Sequence, residues 1–168
     1  RAYSAVSREI PHQLVIAGRP ADRAIDLRRT AQELEIETKV HFMENVSYDD
    51  LPALYSGADL FVFPSIVEGW GFPPFEAMAC GTPVIVSDGD PMGEVVGQAA
   101  RVVPFSTDRL SDRFVDTDFD QRLAQEIVSL LGNSSVRNKM VETGLSHVKQ
   151  FSWDSVAQKT LGVYKRLA

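Results

Sequence analysis

The middle of the chain constrains the fold more than any other part of the sequence. An apolar stretch from Ala58 to Phe63 is followed by a loop that contains Gly-Trp-Gly, and a second apolar stretch runs from Pro83 to Val86. Between them, Pro73 and Pro74 open a helix, because proline fits the first helical turn, and Gly81 ends it. The order strand, glycine-rich loop, helix, strand predicts two parallel strands joined by a helical crossover.

The same alternation of strands and helices extends over the whole chain. The predicted strands are His12–Ala17, Lys39–Met43, Asp59–Phe63, Val84–Val86 and Ala99–Val103. The predicted helices are Arg23–Leu34, Tyr48–Ser56, Pro73–Gly81, Asp120–Leu131, Ser134–Gln150 and Ser152–Ala168. Such alternation is typical of the α/β class, here a doubly wound parallel sheet that binds ligands beyond the carboxyl ends of its strands. The candidate ligand face therefore comprises the loops after Ala17, Met43, Phe63 and Val86.

Composition excludes several classes of protein. The formal net charge is −6 and no basic stripe is present, which argues against a nucleic-acid partner. A single cysteine, Cys80, excludes an internal disulfide framework and fits a reducing, cytoplasmic compartment, where we expect it to be a plain core thiol. No apolar run reaches the roughly 18 to 20 residues that span a bilayer. The chain of 168 residues opens without Met and inside a helical pattern, so we expect one domain of a longer protein.

Two carboxylates flank the glycine-rich loop. Glu68 stands before it, and Glu76 follows on the helix. A loop that ends at a helix N-terminus presents backbone N–H groups that bind phosphates, while carboxylates accept hydrogen bonds from hydroxyl groups. This combination suits a sugar nucleotide, although each glutamate is alternatively a plain surface residue. Because the two prolines lack N–H groups, few free donors remain at this terminus. We expect them at Gly71, Phe72 and Phe75.

The segment from Glu68 to Glu76 reads Glu-Gly-Trp-Gly-Phe-Pro-Pro-Phe-Glu and continues as Ala-Met-Ala-Cys-Gly-Thr-Pro-Val. Five other short stretches accompany it along the chain: Leu14–Gly18, Val40–Phe42, Leu54–Pro64, Glu94–Gly97 and Phe151–Trp153. In this order they resemble the C-terminal, donor-binding domain of a GT-B glycosyltransferase, specifically glycosyltransferase family 4. The pair Glu68 and Glu76 matches the E-x7-E element of that family, and the resemblance covers nearly the whole chain.

The resemblance implies a function. Members of the family transfer a sugar from a nucleotide diphosphate donor, such as a UDP-, GDP- or ADP-sugar, without a metal and with retention of anomeric configuration. It implies that Glu76 holds the ribose hydroxyls. It also implies that Glu68 contacts hydroxyls of the donor sugar, and we therefore predict Glu68 as the catalytic residue. Backbone N–H groups of the turn would face the sugar and the phosphates. These belong to Gly69, Trp70, Gly71, Phe72 and Phe75.

Local chemistry supports the role of Glu76 independently. We expect it in the first turn of its helix, where the helix dipole favours a carboxylate by about 0.3–1 kcal/mol. The two tryptophans carry different expectations. Trp70 is either a wall for the sugar or a packing residue, and Trp153, which begins a helix, is expected in the core.

The chain departs from the family pattern in two loops. After the first strand, where the family often has a second glycine, Gly18 is followed by Arg19. This arginine either supplies positive charge near the phosphates or is an ordinary surface residue. After the second strand the family often has glycine where this chain has Glu44, in a loop that lies against the nucleotide base. Glu44, Asn45 and Val46 are therefore candidate base contacts, and Glu44 either accepts from a guanine edge or faces water.

The resemblance also implies parts that would precede Arg1. They are an Arg and a Lys that grip the phosphates, and the N-terminal domain that carries the acceptor site and closes the cleft. We therefore expect a domain that is incomplete at its N-terminal edge and binds the donor without transferring sugar. Its partners would be the sugar nucleotide and the N-terminal domain, with peripheral membrane contact by the full-length protein left open.

Other functions compete with this one. A non-catalytic nucleotide-binding or interaction module that retained the fold would show weak donor selectivity and indifference to the loss of Glu68. A Rossmann-type dinucleotide domain is disfavoured, because no G-x-G-x-x-G follows the first strand.

The run Asp88-Gly-Asp90 resembles the metal-binding Asp-x-Asp of another glycosyltransferase fold but follows the wrong strand, so we interpret it as a turn. The three histidines are scattered singly, so we expect no metal site.

Overall fold

A computed structural model describes residues 1–18, 27–105 and 118–167, which form alternating strands and helices. The strands are β1 (Leu14–Gly18), β2 (Val40–Glu44), β3 (Phe61–Phe63), β4 (Val84–Ser87) and β5 (Arg101–Val103). The helices are α1 (Ala2–Val6), α2 (Leu27–Glu33), α3 (Leu51–Ser56), α4 (Phe72–Ala79), α5 (Met92–Val96), α6 (Phe119–Leu131), α7 (Ser134–Val148) and α8 (Trp153–Leu167), with a 3-10 turn at Glu37–Lys39.

All described strand pairs are parallel, which confirms the predicted α/β class. The hydrogen-bonded ladder is divided in two: β1 pairs with β2, and β4 lies between β3 and β5. The register places Gly18 opposite Glu44 and Phe63 opposite Val86. Parallel pairing brings the carboxyl ends of paired strands to one edge. The loops that follow β3 and β4 therefore lie side by side.

Helices cover both faces of the sheet, as expected for a doubly wound fold. Strand β4 is buried along its whole length, and its side chains alternate between two apolar clusters. Ile85 joins the cluster that contains residues of α1 and α6, whereas Val84 and Val86 join the cluster formed with α3, α4 and α5. The central position of β4 explains why this segment is a continuous apolar run.

Several element boundaries differ from the predictions. Helix α3 begins at Leu51 rather than Tyr48, because residues 48–50 form a turn. In that turn the Asp50 N–H donates to Ser47 Oγ at 3.2 Å. Helix α5 was not predicted, since Gly93 interrupts its apolar pattern. The first residues of the helix predicted from Arg23 lie outside the described residues.

The last helix packs less closely than the sequence suggests. No described residue of α8 is buried, and Trp153 is 77% exposed, so the expectation that it belongs to the core is wrong. Leu161 and Tyr164 of the same helix are exposed as well. Amphipathic spacing predicts the helix correctly but does not say which surface covers its apolar face. In the described ranges, no helix is long and apolar enough to cross a membrane.

Candidate functional site

The glycine-rich loop enters α4 through a backbone conformation that requires glycine. Gly71 is the N-cap residue with φ +92°, and a Cβ at this position would lie 2.1 Å from the Met92 Cε. The helix begins at Phe72, so the N–H of Phe75 is the first that can bond back to the Gly71 carbonyl. The prediction that Phe75 offers a free donor is therefore wrong. The terminus presents the N–H groups of Gly71 and Phe72, because the two prolines have none.

Glu68 is held by its own loop and by the loop after β4. The Ser65 hydroxyl donates to Glu68 Oε1 at 2.7 Å, and the Glu68 N–H donates to the Asp90 carbonyl at 3.1 Å. Val67 pairs with Asp90 in a parallel bridge, and the Ser87 hydroxyl donates to the Ser65 carbonyl. These contacts fasten the loop that carries Glu68 to its neighbour at the carboxyl edge of the sheet.

The loop after β4 approaches the Glu68 loop so closely that it excludes a side chain at Gly89. A Cβ there would lie 2.3 Å from the Ile66 carbonyl oxygen. In the same loop, Asp88 Oδ1 accepts a 2.6 Å hydrogen bond from the Phe105 N–H. The carboxylate of Asp88, which the sequence analysis assigns to a turn rather than to a metal site, thus ties this loop to the end of β5. Within the described parts of the chain, no group of three or more His, Cys, Asp or Glu side chains is arranged to hold a metal ion.

Glu76 is held by side chains of a different element. The Tyr48 hydroxyl donates to Glu76 Oε1 at 3.1 Å, and the Tyr55 hydroxyl donates to Oε2 at 2.9 Å. Glu76 is the fifth residue of α4, so the expectation that it lies in the first turn and gains from the helix dipole is wrong. Sequence reasoning also missed both tyrosines. Helical spacing gives no signal for the pair, because Tyr48 lies in the turn before α3 and only Tyr55 lies on the helix.

The two hydroxyl groups stay protonated donors in the physiological pH range. Burial, followed by the hydrogen bond to the Glu76 carboxylate, raises the pKa of Tyr55 well above its usual value. The hydrogen bond to the same carboxylate raises the pKa of Tyr48. An ionised carboxylate has about four acceptor positions, so Glu76 keeps one free position on each oxygen.

The rings of the glycine-rich loop pack against the C-terminal helices. The Trp70 ring centroid lies 6.0 Å from that of Phe75 and 5.9 Å from that of Phe151, which follows α7. The Phe72 ring lies 6.4 Å from Trp153 at the start of α8. Of the two roles predicted for Trp70, these contacts favour packing. Gly69 is exposed beside it.

The carboxyl ends of β1 and β2 lie beside each other in the other ladder. Arg28 Nη2 lies 2.9 Å from Glu44 Oε1, and its guanidinium carbon lies 4.6 Å from the centre of the Phe42 ring. Glu44 is therefore paired, a contact that neither predicted alternative included. Asn45 is exposed with φ +57°, and Val46 is half-buried. Gly18 lies opposite Glu44, whereas Arg19 lies outside the described residues.

Two cavities lie elsewhere. One of about 510 Å³ lies between α7 and the loop after α5 and is lined by residues that include Gly97, Glu142 and His147. Another of about 280 Å³ lies between α1 and the turn near Lys39. Neither is lined by Glu68 or Glu76. Glu68 is therefore a candidate ligand contact because its loop lies where β3 and β4 end, and Glu76 because it follows that loop on α4, not because either lines a cavity.

Comparison with known proteins identifies relatives across most of the chain. The family model for glycosyl transferases group 1 matches residues 1–147. The O-antigen chain mannosyltransferase B of Escherichia coli is 36% identical over 128 residues, which are 76% of this chain and 30% of that protein. The D-inositol 3-phosphate glycosyltransferase of Salinispora arenicola is 33% identical over 155 residues, 90% of this chain and 32% of that protein. The chain thus spans about a third of the length of these curated relatives.

Solved structures share the fold. The sucrose-phosphate synthase from Thermosynechococcus elongatus superposes with a TM-score of 0.77 at 25% identity, covering 99% of this chain and 41% of that one. The pneumococcal O-GlcNAc transferase GtfA, solved in complex with UDP and GlcNAc, gives a TM-score of 0.79 at 20% identity, covering 98% of this chain and 31% of that one. The fold is that of GT-B glycosyltransferases, and the chain belongs to the group 1 glycosyl transferases.

Proposed function

We propose that this chain is the donor-binding domain of a retaining glycosyltransferase that uses a nucleotide diphosphate sugar and needs no metal. The observation that carries the proposal is the arrangement of two held carboxylates around the Gly71 N-cap: Glu68 in the loop after β3, fastened to the loop after β4, and Glu76 on α4. Family membership, together with structural neighbours that were solved with UDP, supports a nucleotide sugar as the ligand.

Each part of the donor has a proposed partner. Glu76 accepts from the ribose hydroxyls, and Glu68 accepts from hydroxyls of the donor sugar. The N–H groups of Gly71 and Phe72 face the phosphates, since they are the free donors at the start of α4. Two N–H donors do not balance a diphosphate in a chain of net charge −6, so we propose that Arg19 or residues beyond this chain add positive charge.

Catalysis belongs to the longer protein. The curated relatives are about three times as long as this chain, and we propose that the remainder includes an N-terminal domain that binds the acceptor. Transfer would then depend on stabilising the leaving diphosphate and on placing the acceptor hydroxyl. The O-antigen chain mannosyltransferase supports a role in polysaccharide or glycan biosynthesis. We propose that the full-length protein acts in the cytoplasm, with peripheral contact to the inner face of the membrane left open. The isolated chain should bind the donor without transferring its sugar.

One observation favours a second candidate, a non-catalytic module. Both oxygens of Glu76 already accept hydrogen bonds from Tyr48 and Tyr55. Such a carboxylate stabilises the packing of α3 on α4 without any ligand. On this alternative, removing Glu76 lowers stability but leaves nucleotide binding unchanged.

Calorimetric titration with UDP, GDP, ADP and their sugar conjugates tests the proposal. We expect a preference of about tenfold or more for one base, and Glu76→Ala should cost about 1.5–3 kcal/mol of affinity, or roughly 10- to 100-fold. Thermal unfolding is the necessary control, because this variant leaves the Tyr55 hydroxyl without its acceptor. Unchanged affinity in a folded variant, or silence across the panel in this chain and in one extended upstream, would favour the non-catalytic module.

Glu68→Ala provides the second arm of the experiment. Because Glu68 is assigned to the sugar, the variant should bind the bare nucleoside diphosphate normally and lose about tenfold in affinity for the sugar conjugate. Equal losses for both ligands would contradict the sugar-facing role.

A further inference from the structure

The two tyrosines that contact Glu76 differ sharply in their surroundings. Tyr55 is buried on α3, its ring packs edge-on against Phe61 with centroids 5.3 Å apart, and its carbonyl accepts a 2.6 Å hydrogen bond from the Thr82 hydroxyl. Tyr48 lies in the turn before α3 and is 79% exposed. The Tyr55 hydroxyl is therefore a fixed donor, whereas the Tyr48 hydroxyl is held mainly by the bond it makes to Glu76.

A fixed donor on one oxygen determines the plane of the carboxylate. The terminal torsion of a glutamate side chain is otherwise broad, so an unheld carboxylate rotates freely. With Tyr55 on Oε2, the remaining acceptor positions of the two oxygens point in set directions. We infer that Tyr55 is a positioning residue, which makes Glu76 selective for a ligand with two adjacent hydroxyl groups. This inference rests on the proposed function, in which those hydroxyls belong to ribose.

Tyr48 occupies a place that a ligand hydroxyl can take. Its hydroxyl donates to Oε1, the oxygen that Tyr55 leaves unbonded, and it does so from an exposed turn. An exposed hydrogen bond contributes little to stability because water replaces either partner. A ligand hydroxyl therefore displaces the Tyr48 hydroxyl at small cost, while the Tyr55 hydroxyl remains in place.

Discrimination between ribose and 2′-deoxyribose tests this inference. The dissociation constants of the preferred nucleoside diphosphate and of its 2′-deoxy form are measured for the wild-type chain and three matched tyrosine-to-phenylalanine variants. Wild type should favour ribose about tenfold, and Tyr55→Phe should reduce that ratio to about threefold or less. Tyr48→Phe should keep the ratio and bind both ligands up to about threefold more tightly. Tyr164→Phe, an exposed site on α8, is the control for the substitution itself.

The outcomes separate the inference from the function on which it rests. A wild-type ratio in folded Tyr55→Phe overturns the inference and leaves the proposed function intact, and so does an equal loss for both ligands. Equal binding of both ligands by the wild-type chain, or binding of neither even by a chain extended upstream, overturns the ribose assignment and the inference together.

A second measurement needs no variant and decides the inference if Tyr55→Phe does not fold. In proton NMR spectra of the wild-type chain, nucleotide binding should shift the ring signals of Tyr48 and keep the Tyr55 hydroxyl proton protected from exchange. Loss of that protection on binding would show that the ligand displaces Tyr55, which contradicts its positioning role.

Discussion

Glu68 and Glu76 lie eight residues apart, yet the chain holds them in different ways. Glu68 accepts from Ser65 three residues earlier, and its loop is fastened through backbone contacts to the loop after β4. The Glu76 carboxylate is held, among the described residues, by the side-chain hydroxyls of Tyr48 and Tyr55, which come from the region of α3. The first carboxylate depends on how two loops pack, whereas the second depends on hydroxyl groups that can be removed singly.

This difference predicts which substitutions near each carboxylate the protein tolerates. A backbone-anchored loop is sensitive to added volume, because neither strand end can move without breaking the sheet edge. A side-chain clamp is insensitive to volume but sensitive to the loss of a single hydroxyl. The following predictions test that contrast, from the largest expected effect to the smallest.

Added volume between the loops should have the largest effect. Gly89→Ala places a Cβ against the Ile66 carbonyl, where only 2.3 Å is available, so we expect a loss of about 1–3 kcal/mol in the free energy of unfolding. Gly93→Ala is the matched control, since no atom lies within 4 Å of its Cβ position, and it should be neutral or slightly stabilising. Urea denaturation measures both. Equal stability of the two variants would refute the close packing of the loops.

Removing the local partner of Glu68 should have an intermediate effect. Ser65→Ala deletes the 2.7 Å hydrogen bond to Glu68, which should cost about 0.5–1.5 kcal/mol of stability. Calorimetry should show weaker binding of the sugar nucleotide with little change for the bare diphosphate. Ser146→Ala, an exposed site on α7, provides the comparison. A change confined to the bare diphosphate would contradict the arrangement.

Alkaline pH should act through the Glu76 clamp. Burial and the bond to Glu76 raise the pKa of Tyr55, so above about pH 10 the unfolded chain releases this proton while the folded chain keeps it. The free energy of unfolding should therefore fall as pH rises through that range, with no contribution from Tyr55 below it. Denaturation at several alkaline pH values should show a shallower fall for Tyr55→Phe. If the free energy of unfolding falls equally steeply with pH in the variant, the alkaline titration belongs to groups other than Tyr55.

Loss of the exposed hydroxyl should have the smallest effect. Tyr48→Phe removes a 3.1 Å hydrogen bond at the surface, and we expect no measurable change in the free energy of unfolding, because water replaces the lost partner. Thermal denaturation beside wild type measures this. A loss as large as that of Ser65→Ala would mean that Tyr48 is a fixed part of the clamp.

Local signals predicted the elements near the site well. The apolar run at β4, the prolines at the start of α4 and Gly81 after its end placed the crossover within one or two residues. The same signals erred where boundaries decide chemistry. Helix α4 begins one residue earlier than predicted. As a result Phe75 is not a free donor, and Glu76 lies beyond the first turn, where the helix dipole acts.

By itself the sequence determined the α/β class and the order of the strands, because hydrophobic periodicity and the special backbone properties of glycine and proline act over a few residues. Its motifs carried the resemblance to the family. Only the tertiary structure decided the partners of the acidic side chains. Tyr55 reaches Glu76 across 21 positions and Arg28 reaches Glu44 across 16, contacts that exist because particular helices and strands pack together. No local pattern encodes such pairs, since their geometry depends on how whole elements are oriented in the core.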